Sequence, residues 1–146
     1  MTTRTIALIL GIGFLVAGLA GFFPGVTTPP VADAAAGAAT ADYPRLFGLF
    51  PVNTLHNIAH LLFGVWGIVA YRSWSGSRTY NRVTAVAYAV LMVFGLIPGL
   101  NTLFGLMPLF GHDVWLHLIL GGLAAYGGFA ARETADDRVT AAGRGI

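Results

Sequence analysis

The sequence predicts an all-α integral membrane protein in which four transmembrane helices form two tandem two-helix repeats, packed as a bundle. Three observations predict it. Hydrophobic residues make up 56% of the chain and charged residues 10%, with a mean hydropathy of +0.75, outside the usual balance of soluble domains. Four apolar runs, at about 5–23, 52–71, 83–97 and 112–131, approach the length that spans a bilayer core at about 1.5 Å per residue. The hexapeptide LFGLFP of residues 46–51 returns as LFGLMP at 103–108. With nearly every residue in a helix or a short connection, no soluble catalytic domain fits in the remainder, so an enzyme is not expected and any chemistry lies inside the bundle.

Residues 1–131 are therefore read as a four-helix transmembrane domain and 132–146 as a cytoplasmic tail. The first run has a charged start and is followed by an Ala-x-Ala triplet, as in a secretory signal. Its apolar stretch is longer than the roughly 7–15 residues of a signal core, so it is expected to be retained as the first helix. Residues 24–51 form the one long connection, external and irregular, in which PGVTTPPVADAAAGAATADYPR is rich in Pro, Ala, Thr and Gly and carries Asp33 and Asp42. The link from Arg72 to Arg82 reads as short and polar. The tail RETADDRVTAAGRGI reads as solvated.

All eight basic residues are arginine. A cytoplasmic N-terminus places seven of them, Arg4, Arg72, Arg78, Arg82, Arg132, Arg138 and Arg144, inside and only Arg45 outside, which predicts that both termini are cytoplasmic. These charges would meet anionic headgroups of the lipid bilayer, and they are too dispersed for nucleic acid. There is no cysteine, so thiolate ligands and disulfides are excluded.

The repeat extends beyond the hexapeptide. At the same offset of 57, HLLFG at 60–64 falls on HLILG at 117–121, and the first and third helices end in FFPG and LIPG. Two tandem pairs of equal orientation imply a pseudo-two-fold axis along the membrane normal. Ala17, Gly18 and Gly21 on the first helix and Gly121, Ala124 and Gly128 on the fourth permit close helix approach. LFGLFP and LFGLMP, each closed by a proline, are expected at the interface as lead-ins to helices two and four, with a re-entrant element as the alternative. Trp66, Tyr71, Trp74 and Tyr80 suggest an interfacial aromatic belt.

At about 100° per residue, Asn53, His56, Asn57, His60, Gly64, Gly67 and Tyr71 fall on one stripe of the second helix. Asp113 and His117 head the matching stripe of the fourth, with His112 to one side. Polar groups facing hydrocarbon are costly, so both stripes should turn inward and bring His56, His60, Asp113 and His117 together. Three readings fit. An inward His/Asn/Asp cluster, with Asn53, Asn57 and His112 as its polar network, can lock helices two and four by hydrogen bonds in a structural or accessory subunit, alone as a homo-oligomer or within a larger membrane complex. The four side chains can instead be ligands of a transition metal, Zn or Fe, or hold a b-type haem between His60 and His117, as in a redox accessory protein. Proton or small-solute transport is the third.

LFGLFPVNTLHNIAHLLFGVWGI together with GHDVWLHLILG resembles the bacterial membrane family labelled domain of unknown function 4383. The resemblance covers the whole chain, and its most specific part is the spacing of Asn53, His56, Asn57 and His60. It implies four helices and a bacterial inner (plasma) membrane. It supplies no activity and no catalytic residue.

Overall fold

A hydroxyl or carboxamide cap starts three of the four α-helices set out among the described residues. In the computed structural model, which describes residues 1–30, 43–135 and 137, Thr2 accepts from the Thr5 amide and opens α1 (Thr3–Ala20). Asn53 accepts from the His56 amide at 2.8 Å and opens α2 (Thr54–Ala70), and Ser73 accepts from the Gly76 amide and opens α3 (Trp74–Leu96). The fourth helix, α4 (His112–Ala125), starts after Gly111, whose φ of 69° only glycine adopts easily. It runs into a wider π-helical turn at Tyr126–Ala130.

The Ser73 cap changes one expectation. The polar stretch read as a link from Arg72 to Arg82 is the beginning of α3, which starts nine residues before the expected 83 and leaves only Tyr71 to Ser73 between helices. The reason is tertiary: Ser77, Tyr80, Asn81 and Thr84 recur at helical spacing and are fully buried, so this polarity faces protein and not solvent. Three helical segments, Thr3–Ala20, Trp74–Leu96 and His112–Ala130, are long and apolar enough to cross a membrane. The fourth, Thr54–Ala70, has 17 residues, at the lower end of that range.

Packing is closest within the hairpins α1–α2 and α3–α4. The two hairpins meet chiefly where α1 crosses α3, and α2 and α4 have little direct approach. Small residues set the hairpin spacing. A Cβ on Gly21 would collide with the Asn57 carboxamide, and a Cβ on Gly95 with the Leu109 carbonyl and Val114. Gly95 lies 74 residues after Gly21, and Val114 lies 57 after Asn57. The exposed faces carry large apolar side chains such as Leu62, Trp115, Ile119 and Phe129, as expected of surfaces in contact with lipid.

The end of the bundle holding the long connections also has regular structure. Within the segment read as an irregular loop, β1 (Thr27–Thr28), β2 (Arg45–Leu46) and β3 (Phe50–Pro51) form a small antiparallel sheet in that order, with Leu46 paired to Thr27 and to Phe50. LFGLFP is the β2–β3 turn. LFGLMP forms a turn closed by Met107 N–H to Thr102 O and Leu109 N–H to Asn101 O. In both, the phenylalanine and the glycine are left-handed, Phe47 and Gly48 at φ 53° and 73°, Phe104 and Gly105 at 58° and 84°, and the closing Pro51 and Pro108 are buried. Asp33, Asp42, Arg138 and Arg144, with residues 31–42 of the expected loop and most of the tail, lie outside the described residues.

The opposite end carries arginines. Arg4 Nε donates to Tyr71 O at 3.0 Å, and Arg78 Nε to Gly128 O at 3.2 Å; these donors are 74 residues apart and their acceptors 57. Arg82 Nε also donates to Gly128 O, at 2.9 Å. Arg4 lies over the Tyr71 ring, and Arg78 over Trp74, so these belt aromatics also hold guanidinium groups. Asn81 Nδ2 donates to Thr3 O and joins α3 to α1, while Ser77 Oγ donates to Ala70 O. The described part of the tail is not simply solvated: Asp137 is buried and receives Arg4 Nη1 at 3.1 Å.

Candidate functional site

The polar stripe of α2 begins at its cap. Asn53 holds the first turn and reaches across to donate to Leu106 O at 2.7 Å, tying the helix start to the LFGLMP turn. One turn on, His56 and Asn57 are buried, with Asn57 pressed on Gly21 of α1. His60 is half-buried, its ring 4.6 Å from that of His56 and stacked on Phe14 at 5.6 Å. On α4, Asp113 and His117 are each 2% exposed. Their i, i+4 spacing puts Oδ2 3.7 Å from His117 Nδ1, too far for a hydrogen bond. Tyr88 of α3 meets His117 edge-on at 4.7 Å and stacks on Phe14 at 5.4 Å. His112 is exposed at the start of α4 and takes no part.

Two cavities border this centre. The first, of about 350 Å³, lies between α2 and α3 and is lined by His56, His60, Phe63, Tyr88 and His117 among others. The second, of about 290 Å³, lies between α1 and α4 and is lined by Phe14, His56, His60 and Asp113 among others. His56 and His60 stand between them and belong to both. The four expected side chains are thus brought to one pair of cavities, although α2 and α4 themselves stay apart.

Hydrogen bonding decides what the centre can do. Nδ1 of His56, Oδ1 of Asn57, Oδ2 of Asp113 and Nδ1 of His117 are buried with no hydrogen-bond partner. A lock between α2 and α4 would pair these atoms with one another, and at these positions it does not form. Among the described residues no group of three His, Cys, Asp or Glu side chains is placed to hold a metal ion. What remains is a set of unpaired donors and acceptors in apolar surroundings, each costing about 1–3 kcal/mol of desolvation until a partner arrives.

Sequence reasoning missed the aromatic wall. Phe14 and Tyr88 stack at the crossing of α1 and α3 and carry His60 and His117 on their other sides. The available signal was the set Ser77, Tyr80, Asn81, Thr84, Tyr88, which pairs at i, i+3 and i, i+4 and so marks the inner face of a helix.

Compared with known proteins, the chain matches the family model of a domain of unknown function (DUF4383) over residues 4–130. No curated protein and no solved structure matches it.

Proposed function

Since the chain belongs to the DUF4383 family, whose function carries no assignment, we propose from the site itself that it is a non-enzymatic, multi-pass protein of the bacterial inner membrane whose histidine centre binds a small molecule. In this reading all four helices cross the bilayer as two tandem repeats. The paired contacts Gly21 with Asn57 and Gly95 with Val114, and the paired bonds Arg4 to Tyr71 and Arg78 to Gly128, support that arrangement. Both termini are cytoplasmic, on the strength of the arginine asymmetry. The chain has no native cysteine, so Gly25→Cys should react with an impermeant thiol reagent in intact cells and Ser75→Cys should not; the reverse pattern inverts the orientation.

One observation carries the binding role: four buried polar atoms without partners beside two cavities. A purely structural or accessory subunit would have no use for two cavities beside these groups. It would also offer small-residue faces outward, whereas Gly18 and Gly21 press on α2 and Gly121 and Gly128 on α3. The test is native mass spectrometry and elemental analysis of the full chain in mild detergent, with thermal melting alongside. The expectation is a near-stoichiometric species that is lost in His117→Phe, with no fall in Tm when the two proteins are compared free of that species. A protein carrying no bound species overturns the reading, and a lower Tm of the variant in that ligand-free comparison returns His117 to a lock.

A further inference from the structure

The two cavities are built from corresponding residues. Phe63 in the first answers to Leu120 in the second at an offset of 57, and Tyr88 and Ala87 in the first answer to Phe14 and Gly13 in the second at an offset of 74. Each has apolar walls and a polar floor shared at His56 and His60. Each also reaches the exposed surface, through Val90 in one and Ile9 in the other, so the way in is from the bilayer.

These features constrain an occupant. It has to be lipid-soluble, because the way in lies among exposed apolar residues. Its polar part has to be uncharged, since an ion at this depth would add desolvation cost to groups that already lack partners. It must serve imidazole nitrogens, which donate or accept according to tautomer, as well as Asp113 Oδ2. Phe14, Tyr88, Phe63 and the His60 ring favour a flat head. We propose that each cavity takes the head of an isoprenoid quinone or quinol, a planar ring with oxygens on opposite edges and a long apolar tail left in the membrane.

This rests on the binding role proposed above and names its ligand class. Decylubiquinone titrated into the detergent-purified full chain should quench tryptophan fluorescence saturably, because Trp66 packs on Phe63 at the wall of the first cavity. Two molecules should bind per chain. Gly13→Leu, where an added side chain enters open space, should remove the second site alone, and Ala87→Leu the first alone. His56→Phe should weaken both by about tenfold. Gly122→Leu, also in open space but lining neither cavity, should change nothing. Linear quenching, equal in all variants, overturns the proposal, and so does equal competition by dodecane, a tail without a head. If native mass spectrometry finds a His117-dependent species while decylubiquinone fails to bind, the ligand class is wrong and the binding role stands; if both are negative, both fall.

Discussion

Polar groups are buried at two levels of this bundle, and they are treated differently. Toward the arginine end, Asn81 is fastened to the Thr3 carbonyl, Ser77 to Ala70, Arg4 to Tyr71, and Arg78 and Arg82 to Gly128. Thr3 Oγ1, Trp74 Nε1, Tyr80 Oη, Asn81 Oδ1 and Thr84 Oγ1 have no hydrogen-bond partner there either, but the packing is tight: a Cβ on Gly127 would fall 2.6 Å from Asn81 Nδ2 and one on Gly67 2.9 Å from the Tyr80 hydroxyl. Toward the loop end, His56, Asn57, Asp113 and His117 keep unpaired atoms and two cavities lie alongside. Tightly packed polarity fixes how helices cross whether or not every atom is bonded, whereas unbonded polarity beside a cavity is what the proposed binding role would use.

The largest expected difference between the two levels is steric. In Gly128→Val the new Cβ would meet Arg82 backbone nitrogen at 2.9 Å and Cα at 3.2 Å, atoms that cannot turn aside, so stability should fall by about 3 kcal/mol in detergent denaturation. Gly13→Leu, beside the second cavity, should stay within about 0.5 kcal/mol of the wild type. Comparable losses would mean that the cavity is not open.

A smaller difference separates the side chains themselves. Asn81→Ala loses the bond to Thr3 O and buried volume, and should cost about 1–2 kcal/mol. His117→Phe removes an unpaired buried group for an apolar ring of similar shape, and should leave the Tm of the ligand-free protein unchanged or raise it. A fall in both would erase the distinction between the two levels.

The smallest effect is in the tail contact at the arginine end. Burial raises the Asp137 carboxyl, but hydrogen bonds from Thr134 and Arg4 and the guanidinium charge outweigh it and hold it below the usual carboxylate range. A carboxyl lowered on folding stabilises at neutral pH, and that contribution disappears as pH falls below about 4 through the folded value. Melting of the wild type should therefore approach that of Asp137→Asn at acid pH and exceed it slightly at pH 7. Curves that stay parallel would show that the tail contact contributes nothing.

Much of this was legible in the sequence. Apolar run length marked four helices, and the small residues Gly18, Gly21, Gly121 and Gly128 marked close helix contacts. The stripe at His56, Asn57 and His60, and its counterpart at Asp113 and His117, marked a buried centre, because helical spacing alone puts such residues on one face. His112 fell outside it for the same reason. The start of α3 was not legible. Composition cannot distinguish polarity that faces solvent from polarity that faces a neighbouring helix, and Ser77 and Asn81 are buried only because α1 and the end of α2 supply the carbonyls they bind.

By itself, then, the sequence determined the helical class, the four apolar segments and which residues share a face, all of which depend on spacing along a single helix. Only the tertiary structure decided that α1 and α3 stand between α2 and α4, that Phe14 and Tyr88 meet where they cross, and that Nδ1 of His56, Nδ1 of His117 and Oδ2 of Asp113 are buried beside cavities with no hydrogen-bond partner. Whether a buried polar atom is satisfied depends on which groups the other helices bring within about 3 Å of it, and no periodicity within one segment encodes that distance.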